Sequence, residues 1–164
     1  MNTTEATRKA TVTYPSDTEL LITREFDAPR SLVLEAITQP EHVQQWYGMS
    51  EDGMRVCEID FRVGGKWHYV LAGPPGEDDI SFSGEYLEID PPKGFRWTFM
   101  FDVDGIGPQG GPETFVFDEV DGRTRVTSTG HLGTVDVLEG ALAMGMVGGA
   151  IETWDRLAAF LAEG

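Results

Sequence analysis

The stretch Gly94–Phe101 reads Gly-Phe-Arg-Trp-Thr-Phe-Met-Phe and carries an aromatic ring at every second position. Successive side chains of a β-strand point to opposite faces, so the rings should share one face. The preceding run at residues 90–94, Asp-Pro-Pro-Lys-Gly, should interrupt regular structure. We predict that this strand is the central wall of an antiparallel sheet, which the rest of the chain covers or extends. The four rings belong to Phe95, Trp97, Phe99 and Phe101.

The composition indicates one globular domain with a substantial core. The chain has 164 residues, of which 40% are hydrophobic, and a formal net charge of -16. Such an acidic protein repels phosphate backbones and anionic lipids, so we expect neither a nucleic-acid partner nor a membrane. The longest uncharged apolar run, residues 140–151, is shorter than the roughly 20 residues that span a bilayer. With no secretory leader visible, we expect a cytoplasmic protein.

Hydrophobic periodicity divides the chain into a flexible arm over residues 1–18, partly extended near residues 12–14, and one domain over residues 19–164. A first strand at residues 19–26 precedes two short helices, which begin near Pro29 and Pro40. The period then changes to alternation, which predicts a series of antiparallel strands before a helical pattern resumes at residue 134. Residues 102–112 are predicted to be a glycine-rich loop. The later strands are predicted at residues 55–61, 67–72, 80–89, 94–101, 113–120 and 123–131.

Three glycines interrupt the apolar stripe of the predicted C-terminal helix. Gly145, Gly148 and Gly149 fall in its middle, and each mid-helix glycine costs about 1 kcal/mol relative to alanine. The cluster predicts a kink, a split helix or a close approach to another element. A sheet that bends around such a helix is an α+β arrangement.

Several sequence motifs, in this order, resemble the helix-grip fold of the START-like superfamily. More narrowly, they resemble bacterial homologues of the C-terminal domain of the heat-shock-protein-90 ATPase activator. The resemblance implies a curved antiparallel sheet of about six to seven strands around a long C-terminal helix, with two short helices after the first strand. It also implies a cavity between sheet and helix. The motifs lie at residues 24–30 (REFDAPR), 40–46 (PEHVQQW), 60–67 (DFRVGGKW), 82–89 (FSGEYLEI) and 149–157 (GAIETWDRL).

Aromatic and other large side chains are the candidate ligand-binding residues. They either fill the core beneath the long helix or surround an apolar pocket, and the sequence leaves both interpretations open. The mid-helix glycines would leave space opposite them. The candidates are Trp67, Tyr69, Phe82, Tyr86, Trp97, Phe99, Phe101, Phe115, Phe117, Met146 and Trp154.

Polar side chains among these strands are candidate anchors for a ligand. Tyr86 is in phase with Phe82, so its hydroxyl is the favoured anchor facing the cavity. His68 and Arg96 are out of phase with the neighbouring tryptophans and should point to the opposite face. The remaining candidates are Glu113, Arg125 and His131.

Signatures of metal binding and catalysis are weak. The three histidines are scattered, and the calcium-like spacing over residues 102–113 has Ile106 where a third oxygen ligand belongs. The sequence has no nucleophile elbow and no phosphate-binding glycine loop before a helix. We therefore expect no metal and no cofactor, and we favour a non-enzymatic function.

Three functional hypotheses follow. The first is non-enzymatic binding of a small hydrophobic molecule, which requires a cavity of about 300 Å³ or more. The second, which rests on the family resemblance, is a chaperone-associated stress-response protein. The third is a cyclase- or aromatase-like enzyme, which requires at least two titratable side chains inside the cavity. A monomer and a homodimer are both compatible with the sequence.

Overall fold

The structure of the protein is a computed structural model. It describes residues 10–47, 53–73, 76, 78–103, 107–132, 134–143 and 146–163. Among these, the side chains of residues 102, 103, 107–109, 146 and 163 are outside the description.

Within the described residues, eight strands and four helices form an α+β fold, as the alternating and helical periods predict. The strands are β1 (Thr11–Thr13), β2 (Glu19–Phe26), β3 (Met54–Ile59), β4 (Lys66–Leu71), β5 (Ile80–Asp90), β6 (Gly94–Val103), β7 (Gly107–Val120) and β8 (Arg123–His131). The helices are α1 (Arg30–Thr38), α2 (Pro40–Trp46), α3 (Val135–Ala143) and α4 (Met146–Glu163).

All eight strands belong to one open, curved antiparallel sheet in the order β1-β2-β8-β7-β6-β5-β4-β3. The aromatic strand β6 lies inside the sheet and pairs with β5 and β7, as predicted for a central wall. The register sets Trp97 opposite Tyr86 and Phe101 opposite Phe82. Since directly opposite residues of an antiparallel pair share a face, large side chains of adjacent strands meet on one side of the sheet.

The sheet has more strands than the predicted six to seven. Thr11–Thr13 falls in the predicted flexible arm but forms β1, which pairs antiparallel with β2 through Thr11 opposite Thr23. Threonine and valine suit the extended chain expected near residues 12–14, but three residues carry too little pattern to predict that they join the sheet.

The predicted loop over residues 102–112 is largely wrong. Strand β6 continues to Val103 and β7 begins at Gly107, so residues 102, 103 and 107–112 belong to two paired strands. Its glycines allow close packing of backbones: a Cβ atom on Gly110 or Gly111 would lie 2.0 Å from a carbonyl oxygen of the neighbouring strand. Gly110 also has a φ of 137°, a conformation that L-residues with side chains rarely adopt. The glycines therefore serve strand pairing and not a loop.

The described part of the C-terminal helical region comprises two helices, α3 and α4, and the junction at residues 144 and 145, on which the predicted kink or split falls, lies outside the described residues. Gly148 and Gly149 lie in the first turn of α4, whereas Gly145 is outside the described residues. Helix α4 packs against α1, α2, α3 and β2. No helix within the described ranges is long and apolar enough to cross a membrane.

An ion pair between two of the quoted motifs joins α4 to the sheet. Arg24 alternates in phase with Ile22 and Phe26 on the inner face of β2, and its side chain is only 8% exposed. Its guanidinium pairs with the Asp155 carboxylate of α4 and lies 5.4 Å from the centre of the Phe26 ring. The Asp155 carboxylate offsets the cost of burying the Arg24 charge, and the pair orients α4 on the sheet.

Candidate functional site: a cavity between the sheet and helix α4

A cavity of about 260 Å³ lies between the inner face of the sheet and helix α4. Strands β2 and β4–β8 contribute to its wall, together with the ends of α1 and α2 and residues 149–157 of α4. Its volume is somewhat below the requirement of about 300 Å³ stated above, which applies to drug-sized ligands. Because a cavity of about 150 Å³ holds the six carbons of benzene, this one suits roughly ten non-hydrogen atoms.

Seven of the eleven predicted residues border this cavity, and their rings make most of its wall apolar. Neighbouring rings on this wall are in contact: the ring centres of Phe82 and Phe99 lie 5.0 Å apart, and those of Trp97 and Phe115 lie 5.4 Å apart. Whether these side chains bind a ligand remains a prediction. The seven are Tyr69, Phe82, Trp97, Phe99, Phe101, Phe115 and Trp154.

Trp67, Tyr86 and Phe117 are buried on the same face of the sheet but do not border the cavity. Trp67 stacks on Trp97 with 4.1 Å between ring centres, and its indole N–H donates to the carbonyl oxygen of Thr98 at 3.1 Å. The strand period predicts the face that a side chain occupies, but not whether another side chain covers it. Met146, the last of the eleven predicted residues, is the first residue of α4, and its side chain lies outside the described residues.

Tyr86, the favoured polar anchor, packs inside the core instead of facing the cavity. Its ring lies 5.1 Å from that of Phe61 and 5.7 Å from that of Phe95. The hydroxyl is buried and has no hydrogen-bond partner within the described part of the chain. Burial raises the pKa of Tyr86, so the phenol stays protonated.

Glu113 is the anchor candidate that does border the cavity. It lies on β7 directly opposite Trp97. The Trp97 indole N–H donates to Glu113 Oε1 at 2.8 Å, and the Ser128 hydroxyl donates to Oε2 at 3.0 Å. Burial raises the pKa of the Glu113 carboxyl, although these two hydrogen bonds act in the opposite direction.

Two tyrosines stand on the same wall as Glu113. The rings of Tyr47 and Tyr69 lie 5.0 Å apart, and Tyr69 is 6.4 Å from Trp97. Burial raises the pKa of both phenols, and the Glu113 carboxylate adds to the rise of the Tyr47 pKa. Both tyrosines are therefore neutral hydrogen-bonding groups at physiological pH.

The other polar candidates face away from the cavity. His68 and Arg96 lie on the opposite face, as their phase predicts, within 3.7 Å and 3.9 Å of Glu58 and Glu88. Arg125 forms an ion pair with Glu25 at 3.4 Å, and His131 Nδ1 lies 3.0 Å from Glu19 Oε2.

Sequence reasoning missed the parts of the wall that come from outside the aromatic strands. Tyr47 follows α2, where no period indicates its direction. Ser128 and Gly130 are in phase with the buried Val126 on β8, a signal that could have found them. On α4, the wall residues Gly149, Thr153 and Leu157 are spaced four apart and so share one helix face. The apolar stripe included Leu157 but not the glycine and the threonine.

No metal centre emerges among the described residues: they contain no group of three or more histidine, cysteine, aspartate or glutamate side chains able to hold an ion. Of the calcium-like stretch, Asp104 and Ile106 are outside the described residues. Glu113, at its last position, hydrogen-bonds Trp97 and Ser128 at the cavity wall.

An open antiparallel sheet that holds a cavity against a C-terminal helix defines the helix-grip class of the START-like superfamily. The sequence model of one family, Activator of Hsp90 ATPase homolog 1-like protein, matches residues 27–162. The chain belongs to this family.

Solved structures with the same fold come from several bacteria. Protein Ms6760 from Mycobacterium smegmatis is 27% identical, with a TM-score of 0.80, and the match covers 93% of this chain and 96% of that one. A protein from Rhodobacter sphaeroides is 23% identical, with a TM-score of 0.84 and coverage of 95% and 99%. One from Arthrobacter aurescens is 24% identical, with a TM-score of 0.81 and coverage of 94% and 92%. The last two show the fold alone, and no curated protein sequence matches the chain.

Proposed function

We propose that this domain binds a small, mainly apolar molecule in the cavity between the sheet and α4, without converting it. The observation that carries the proposal is the cavity itself, about 260 Å³ with a wall made mostly of aromatic and aliphatic side chains. Ligand sites are typically apolar hollows with a few converging polar groups. Proteins of this fold family commonly bind hydrophobic ligands.

The cavity volume sets the expected affinity. A ligand of ten non-hydrogen atoms that gains about 0.6 kcal/mol per atom binds with about −6 kcal/mol, a dissociation constant of a few tens of micromolar. Propylbenzene, with nine carbons, is therefore a suitable apolar probe.

The test measures propylbenzene binding by isothermal titration calorimetry and the bound mass by native mass spectrometry. We expect saturable binding of one molecule per domain. We also expect a small apolar molecule to remain bound to protein purified from its own host. Absence of both would refute the proposal.

An enzymatic alternative is favoured by one observation: the Glu113 carboxyl and the phenols of Tyr47 and Tyr69 border the same cavity. These are titratable groups of the kind that a cyclase- or aromatase-like enzyme requires. Incubating the protein with an excess of its retained ligand distinguishes the two functions. An unchanged ligand mass supports binding alone, whereas a new product mass supports catalysis.

The chaperone-associated alternative rests on the family description. It predicts that the domain changes the ATPase rate of an Hsp90-type chaperone. An unchanged ATPase rate at saturating domain would eliminate it.

A further inference from the structure

Among the described residues on the cavity wall, Glu113 is the only one with a carboxyl group, and the other titratable side chains there are the phenols of Tyr47 and Tyr69. Arg24, the inner-face cation of β2, is not on the wall and pairs instead with Asp155. No lysine, arginine or histidine in the described ranges forms an ion pair with Glu113. An ionised Glu113 would therefore lack a counter-charge from these residues.

The hydrogen bonds of Glu113 are suited to a carboxylate. Both partners, the Trp97 indole N–H and the Ser128 hydroxyl, act as donors, one to each oxygen. A carboxylate has about four acceptor sites, so two remain available to a further donor. Because Glu113 borders the cavity, a bound molecule can supply that donor.

The cavity leaves space beside this carboxylate. Gly130 of β8 lies opposite Glu113 and presents no side chain. A Cβ atom built there would meet only the Leu20 carbonyl oxygen, at 3.9 Å. Gly111 and Pro112, which precede Glu113 on β7, also line the cavity and add little bulk.

The surrounding rings favour a positive charge over a negative one. Trp97, Phe115, Tyr47 and Tyr69 border the same cavity, and the faces of aromatic rings carry negative potential. A cation within about 6 Å of such rings is attracted to them, and desolvation strengthens the attraction.

We propose that Glu113 makes the cavity selective for a small apolar amine, whose ammonium group pairs with the Glu113 carboxylate while its apolar body lies against the rings. This inference rests on the proposed function and names the chemical class of its ligand.

Three probes with the same phenyl ring test the selectivity. 2-Phenylethylamine and propylbenzene have the same number of non-hydrogen atoms and differ in the charged terminus, whereas 3-phenylpropanoate carries the opposite charge. Isothermal titration calorimetry at pH 7 should show the amine binding at least tenfold more tightly than propylbenzene, and the carboxylate more weakly than either.

The variant Glu113→Gln keeps the size of the side chain but cannot ionise. In this variant the ratio of the affinities for 2-phenylethylamine and propylbenzene should fall to about one. Asp118→Asn is the matched control, because it removes one negative charge from an exposed position of the same strand. That variant should keep the tenfold preference.

Nuclear magnetic resonance of the ¹⁵N-labelled wild-type protein supplies a readout that needs no variant at Glu113. The Trp97 indole N–H donates to Glu113, whereas that of Trp67 donates to the Thr98 carbonyl oxygen away from the cavity. The amine should shift the Trp97 indole signal more than propylbenzene does, with the Trp67 signal nearly unchanged.

The outcomes separate the two proposals. If propylbenzene binds and the amine binds no better, or if Glu113→Gln keeps the amine preference, the inference about amines is wrong and the apolar-ligand function stands. Equal shifts of the Trp97 signal by both probes also contradict it. If none of the three probes binds and the purified protein retains no small apolar molecule, both proposals are refuted.

Discussion

Filling the cavity from helix α4 tests its existence without touching an aromatic residue. Gly149 borders the cavity, and a Cβ atom built on it meets nothing within 4 Å. Gly148, its neighbour, also has open space within 4 Å but is exposed and off the cavity wall. The variants Gly149→Leu and Gly148→Leu therefore place the same side chain in the same helical turn, and only the former enters the cavity.

The expected effects follow from volume and helix propensity. If six benzene carbons occupy about 150 Å³, the four leucine side-chain carbons take about 100 Å³. That removes a large part of the 260 Å³ cavity and leaves too little for a ten-atom ligand. Both variants should gain about 0.8 kcal/mol in helix propensity. Gly149→Leu should gain roughly a further 1 kcal/mol, because its leucine becomes partly buried.

Thermal unfolding and propylbenzene titration measure both effects. For a chain of 164 residues, 1 kcal/mol corresponds to about 2–4 °C in Tm. Gly149→Leu should therefore melt a few degrees above Gly148→Leu and bind propylbenzene at least tenfold more weakly. If Gly149→Leu is the less stable of the two, or if both variants bind propylbenzene equally well, the cavity is not where the structure places it.

Three further predictions concern the sheet and its link to α4. Asp155→Asn should lower the free energy of unfolding by about 1–2 kcal/mol in urea denaturation, because it leaves the buried Arg24 guanidinium without its carboxylate. Gly84→Ala should cost about 1–3 kcal/mol or more by the same measurement, since its Cβ atom would lie 1.7 Å from the Thr98 carbonyl oxygen. Burial raises the pKa of Glu113 from its ordinary value of 4.5, so its contribution to stability is present below that pH and is lost as the pH rises through the folded-state pKa. Glu113→Gln should therefore flatten the dependence of the urea midpoint on pH above 4.5.

Each of these has a matched control. Glu152→Gln removes an exposed acid from α4 and should change stability by less than about 0.5 kcal/mol. Equal losses for Glu152→Gln and Asp155→Asn would show that the ion pair contributes nothing. Gly140→Ala on α3 meets open space and should stabilise by up to about 1 kcal/mol, whereas a tolerated Gly84→Ala would contradict the close backbone approach. For the pH series the control is Asp118→Asn; Tyr47, the titratable neighbour of Glu113, stays neutral throughout because burial raises its pKa.

Much of the sheet was predictable because strand alternation is a local property. The rings of β6 were expected on one face, and the register brings Trp97 opposite Tyr86 and Phe101 opposite Phe82 on that face. The outward direction of His68 and Arg96 followed from the same rule. The glycines at positions 110 and 111 were misread as a loop, because glycine signals either a turn or a close backbone approach, and only the pairing with β6 and β8 decides which.

The wall of the candidate site was only partly predictable. Tyr86 and Phe101 both lie on the face that the alternation indicated, yet only Phe101 borders the cavity. The ring of Tyr86 packs against those of Phe61, Phe95 and Trp97, of which only Trp97 borders the cavity. Such packing is a relation between distant residues, so no period within one strand contains it.

The sequence by itself determined the order of the helices and of strands β2–β8, the inward face of the sheet and the family, because these depend on local periodicity and short motifs. The tertiary structure decided where space remains empty between the sheet and α4, and which polar group borders it. Glu113 became a site residue only when Trp97, Ser128 and Gly130 from adjacent strands met around it. Hydrogen bonds and unfilled volume form between strands and helices. The pairing of the strands therefore created the site, because the pattern within a single strand does not contain it.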